Sequence, residues 1–172
     1  MAGKLVQVAT NTVTSGVLSV SLTGIDSDDV YLVTVTDLVS FNDAQDLFYR
    51  VTASGVADTT ANYDKASKIL RTDTTFTNTT FQNGTSVSDI RGGTGTGEKT
   101  QLLYHLYNFN NASEFSFIIQ ESVAFDSGGK LAGFSGGAVH TVAQANDGIN
   151  FFYNSGNITG GVFTLYKVIW YE

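Results

Sequence analysis

The chain has 172 residues, 42% hydrophobic and 15% charged, with 18 Gly, no Pro, no Cys and a formal net charge of -7. One core in a chain of this length can bury about 70% of the surface its unfolded form exposes, and the missing Cys excludes disulfides, thiolate metal sites and cysteine nucleophiles. A pI near 4.6 and nine Lys and Arg without a basic stripe speak against nucleic acid as a partner. No apolar run reaches the length of a secretory signal or a membrane span, so a soluble chain is expected, with no membrane partner and no export by the usual route.

Strand signals recur as side chains alternating between two faces. A weak one covers residues 4–8. In residues 17–22, Leu18, Val20 and Leu22 share one face and Ser19 and Ser21 the other, as in a half-buried strand. Residues 29–36 (DVYLVTVT) carry β-branched and aromatic side chains that fit a pleated surface, which predicts a central strand. Residues 46–53 place Leu47, Tyr49, Val51 and Ala53 on one side. Residues 61–70 are the one competitor for helix, through Tyr63, Ala66 and Leu70. That window is short and runs into RTDTTFTNTT, so strand or loop is expected. Residues 83–97 (NGTSVSDIRGGTGTG) predict a mobile surface loop within a single domain over residues 1–172. Strands at 101–109 and 114–125 form a hairpin through 110–113, where Asn and Ser suit a turn. Strands at 130–142, 148–153 and 161–171 follow. Eight or nine closely spaced strands predict an all-β, antiparallel β-sandwich, jelly-roll-like.

Few residues offer chemistry. Gly92, Gly97, Lys99 and Thr100 nearly spell a phosphate loop, but Glu98 is inserted before the Lys and the following segment is strand-like, so a loop between strands is expected. His105 and His140 are the only histidines. Neither has Asp, Glu or His two to four residues away, which predicts a strand-face or packed imidazole in place of a metal ligand. Gly133-Phe134-Ser135-Gly136-Gly137 misses the spacing of a nucleophile elbow. Glu114 and Glu121 lie on opposite faces of one strand and do not make a glycosidase acid pair. Glu121 shares its face with Phe117, Ile119 and Val123. Were that face the core, its carboxylate would need a partner, and a shifted register is expected there.

Asp26, Asp28 and Asp29 are oxygen ligands of the type Ca2+ takes, but their spacing is not that of an EF-hand, and a solvated turn is expected. Asn78, Asn83, Asn111 and Asn157 begin N-x-[ST] strings and read as by-products of an Asn- and Thr-rich β surface. Tyr side chains and Trp170 are the kind that stack on sugars, which keeps a glycan open as a ligand, although most rings alternate as core residues do. No catalytic, cofactor-binding or metal-binding residue is assigned, and no cofactor is expected.

The segment INFFYNSGNITGGVFTLYKV (149–168) resembles the C-terminal signature of bacteriophage virion β-sandwich proteins, common in marine and cyanobacterial phages, that end in a strand of the form S-G-N-I-x-x-G-x-F-x-L-Y-G. Ser155, Gly156, Asn157, Ile158, Gly161, Phe163, Leu165 and Tyr166 stand in the matching places. The likeness extends to GEKTQLLYHLYNFNNASEFSFIIQES and to the opening KLVQVATNTVTSGVLSVSLTGIDSDDVYLVTVTDL. Lys167 departs from the usual Gly, and the tail 169–172 is outside the pattern. Physically, Ser155, Gly156 and Asn157 suit a tight turn with a positive φ, and Phe163 and Leu165 share one face. The resemblance implies a non-enzymatic virion protein assembled in the host cytoplasm. On that footing it is a capsid decoration or cement protein, with a tail or fibre-tip module binding host glycans as the alternative. Its implied partners are the major capsid protein or another virion protein, and copies of itself, as a homotrimer suited to threefold capsid positions.

Overall fold

The computed structural model describes residues 3–170. They form thirteen strands and no helix: β1 (Gly3–Val13), β2 (Ser19–Thr23), β3 (Tyr31–Ser40), β4 (Gln45–Ala53), β5 (Val56–Ala57), β6 (Tyr63–Arg71), β7 (Thr77–Gly84), β8 (Val87–Gly92), β9 (Thr100–Tyr107), β10 (Ser116–Phe125), β11 (Leu131–His140), β12 (Gly148–Tyr153) and β13 (Ile158–Trp170). Eight strands make one antiparallel sheet in the order β1-β13-β3-β9-β10-β11-β6-β7. A second sheet runs β2-β12-β4-β5, with β8 also paired to β4. The chain is an all-β, antiparallel two-sheet sandwich.

The core lies between the sheets, where alternate side chains of each strand meet. Tyr31, Val33, Tyr104, Leu106, Phe163 and Leu165 from the large sheet and Leu47, Tyr49, Val51, Ile149 and Phe151 from the small one are fully buried. Tyr49, Tyr104 and Phe151 pack ring against ring with centroids 5.1–6.3 Å apart, and Phe163 joins at 5.5 Å from Phe151. Rings of this size carry much of the burial energy and hold the two sheets at one spacing.

The expected strands are present, with differences at three places. The helical competitor at 61–70 is strand β6, because Tyr63, Lys65 and Ser67 turn inward at a period of two between β11 and β7. The expected loop at 83–97 contains the end of β7 and all of β8, with Val87, Asp89 and Ile90 buried. Only residues 85–86 and 93–97 of it lie outside strands. Its Gly, Ser and Thr content concealed the alternation, because the inward position between Val87 and Arg91 is filled by a carboxylate. Leu18, expected to face inward with Val20 and Leu22, precedes β2 and is exposed.

Turns follow the local chemistry. Gly156 takes φ 81 between β12 and β13, and Asn108 takes φ 56 after β9, the left-handed conformation that Gly and Asn adopt most readily. The last two residues expected in a C-terminal strand ending at 171, and the tail to 172, fall in part outside the described residues.

Candidate functional site

Strand β10 is turned against its own hydrophobicity. Ser116, Ile118, Gln120, Ser122 and Ala124 face inward, whereas Phe117, Ile119, Glu121, Val123 and Phe125 face solvent. The reason lies on β8. Asp89 is fully buried, and its carboxylate accepts bonds from the hydroxyls of Tyr104 and Ser122 and from the amide of Ile90. Gln120 approaches the same carboxylate at 3.5 Å and accepts a 2.7 Å bond from the Tyr49 hydroxyl. A buried carboxylate is costly unless it is bonded on several sides. Burial raises the Asp89 carboxyl above the usual range against the pull of these bonds and of Lys65. Lys65 is itself buried, its ammonium donating to the Ser88 carbonyl at 2.6 Å and lying 4.2 Å over the Phe134 ring. Burial pushes it down to about 8 despite Asp89 and Asp46 nearby. The inward alignment of Gln120 and Ser122 completes the bonding of Asp89, and a one-residue slip would lose both.

A second inward network fixes the other end of β10. His140 is fully buried, with Nε2 3.1 Å from Asp58 Oδ2. Asn146 donates from Nδ2 to Ser116 Oγ at 2.8 Å and faces His140 Nδ1 at 3.5 Å. An amide N–H aimed at Nδ1 makes that nitrogen the acceptor and Nε2–H the donor to Asp58, the neutral tautomer. Burial lowers the imidazole below its ordinary value, outweighing Asp58.

With polar groups inside, the outer side of β10 is left apolar apart from Glu121, beside the outward Leu103 and Tyr107 of β9 and Ala66 and Leu70 of β6, with Gln101, His105, Asp64 and Lys68 among them. Phe117, Ile119, Val123, Phe125 and Leu131 are each 42–48% exposed. Pairing register arranges the face in rows across the strands: Ile119–Gly137–Ala66, Glu121–Ser135–Lys68 and Val123–Gly133–Leu70. Large side chains on β10 form a ridge, and Gly137 and Ala66 form the floor of an adjoining groove of about 790 Å³, bounded on its far side by Thr80 and Gln82. A contiguous outward apolar face of this kind is the mark of an interaction surface.

The residues singled out from sequence occupy other settings. Glu121 shares the face of Phe117, Ile119 and Val123 as the alternation required, but that face is outside, so the shifted register expected there is corrected: the carboxylate is exposed and needs no buried partner. Glu114 lies in the turn before β10 and accepts a 2.7 Å bond from Asn108. His105 sits on the outer face and His140 inside. The Asp turn is held by protein groups: Lys167 reaches Asp29 at 2.7 Å and Asp26 at 3.8 Å, and Asn111 donates to Asp28 at 2.8 Å. The Lys167 hydrogen bond, helped by Ser27, holds the Asp29 carboxyl below its usual range. The described residues contain no group of three or more His, Asp or Glu poised for a metal ion.

In the near phosphate loop, Glu98 accepts the Gly95 amide at 2.7 Å and Lys99 lies 3.6 Å from Asp37, so the loop's own carboxylate occupies an amide that an anion would use. Ser135, Gly133 and Gly137 belong to the outer face. Asn78 and Asn83 are exposed, while Asn111 and Asn157 are half-buried. Tyr31, Tyr49, Tyr63 and Tyr104 are core residues, Tyr107 and Tyr166 are half-buried and Trp170 is 67% exposed. The signature residues are structural: Gly156 makes its turn, and Ile158, Phe163 and Leu165 are fully buried. Sequence reasoning passed over Asp58, Asp89 and Asn146, whose partners lie far along the chain, as with Asp58 and His140, 82 residues apart.

Comparison with known protein families, with curated proteins and with solved structures found no match.

Proposed function

We propose that the chain is a non-enzymatic structural protein of a bacteriophage particle, a capsid decoration or cement protein that works by surface contact. The observation that carries this reading is the outward apolar face centred on β10, a surface suited to assembly. The polar clusters of the described residues support it from the other side, since Asp89 and Asn146 spend hydrogen bonds on the inward residues Ser122 and Ser116 of β10 and Asp58 is taken up by His140. The resemblance at 149–168 supplies the phage context, and the acidic balance suits a protein kept apart from packaged DNA.

In this reading the partners are the major capsid protein or another virion protein together with further copies of the chain. The protein reaches the virion from the host cytoplasm. Mass spectrometry of washed phage particles from the host that carries this gene tests the reading. The protein is expected in intact particles, with antibody label on the head. Absence from washed particles overturns the virion role, and label confined to the tail overturns capsid decoration in favour of a fibre-tip module.

A further inference from the structure

We propose that the outer face of β9, β10, β11, β6 and β7 pairs two copies of this chain face to face, about a two-fold axis running along β11. The inference concerns the isolated chain and does not rest on the virion reading.

Shape and charge both point to a second copy. β10 and β6 flank β11, so a two-fold axis along β11 lays the β10 of each copy over the β6 of the other. Ile119 of each then meets the partner copy's Ala66, and Val123 meets Leu70, as the shared rows require. Ile119 enters the groove floored by Gly137 and Ala66, twice. At the axis itself, Gly133 and Gly137 meet their own counterparts, where absent side chains permit close approach. The central row decides the orientation. Glu121 and Lys68 lie on either side of Ser135 in one row. The axis along β11 sets Glu121 of each copy opposite the partner copy's Lys68, giving two ion pairs. Within the described residues neither side chain has an ion pair in its own chain. Turning the axis across the strands would set Glu121 against Glu121 and ridge against ridge, which like-charge repulsion and shape both disfavour. Sheet twist crosses the two layers at about 30°, and it displaces residues beside the axis least, where Glu121 and Lys68 stand.

The area is sufficient. Because the axis along β11 also lays β9 over the partner copy's β7, five strands at about 4.8 Å spacing and eight residues at about 3.4 Å rise span a patch on the order of 600 Å². Two copies together remove on the order of 1,200 Å², the lower bound of specific, stable interfaces.

Charge exchange at this row gives the test, read by sedimentation velocity of the purified chain over a concentration series. Wild type is expected to form a dimer. Glu121→Lys and Lys68→Glu, both at exposed positions, are each expected to weaken it about tenfold or more, because each places two like-charge contacts at the centre. Mixing the two single variants is expected to restore a heterodimer, since Lys at 121 then faces Glu at 68 and the native Lys68 of the first chain faces the native Glu121 of the second. Circular dichroism of each variant checks that the fold is kept. A monomer at every concentration, a trimer, a dimer indifferent to both charges, a mixture that stays monomeric, or a wild-type chain that associates only with another virion protein would overturn the proposal.

Discussion

Single buried polar residues decide more of this structure than their number suggests. Asp89 gathers Tyr104, Ser122 and Gln120, and a carboxylate without those bonds could not stay between the sheets. His140 works in the same way and adds a pH dependence. Its folded-state value is lowered by burial, so as pH falls the unfolded chain takes up the proton first. Stability contributed by this residue is full above about 6.5 and is lost as pH falls below that value. Denaturant titrations at pH 7.5 and 5.5 are expected to show a lower midpoint at the acid pH, and His140→Gln is expected to flatten that difference. Asp58 acts in a lower window. Burial would raise it, but bonds from Thr60 and the nearby His140 bring it below its ordinary value, so its contribution is present above about 3.9 and lost beneath it. Lys167, the departure from the phage-type signature, has a local role: it ties the Asp26–Asp29 turn to the last strand.

At the level of elements, the period of two was legible along most of the chain, and its inward faces were right wherever apolar side chains point into the core. Leu47, Tyr49 and Val51 of β4 and Phe163 and Leu165 of β13 are examples. β10 broke the rule because hydrophobicity identifies which residues share a face but not which face is inside. That choice belonged to Asp89, on a strand hidden in a Gly- and Ser-rich segment, and to Asn146, beyond β11. Neighbouring residues on β10 should therefore respond in opposite ways. Ile118 is 1% exposed and Ile119 47%. Ile118→Ala is expected to cost about 2–4 kcal/mol in urea denaturation, whereas Ile119→Ala should stay within about 1 kcal/mol. Equal losses at the two positions would mean that β10 is buried on both sides.

The whole molecule is a sandwich whose larger sheet has its most apolar exposed strand near its middle, between β9 and β11, where no edge pairing can shield it. Edges lack proline throughout, because the chain has none, and edge strands such as β1 and β7 keep unpaired backbone groups on one side. The central apolar face of β10 is the surface on which the proposed second copy docks. Because the chain has no Cys, a single introduced thiol reports which side of β10 faces solvent. Val123→Cys, on the outer face, and Ala124→Cys, 2% exposed, are labelled with a thiol reagent over a range of protein concentrations. The thiol at 123 is expected to react like a free thiol in dilute protein and to slow as concentration rises, while the thiol at 124 stays protected throughout. Fast labelling at 124 with protection at 123 in dilute protein would contradict it, for β10 would then face the other way and leave no apolar surface to dock.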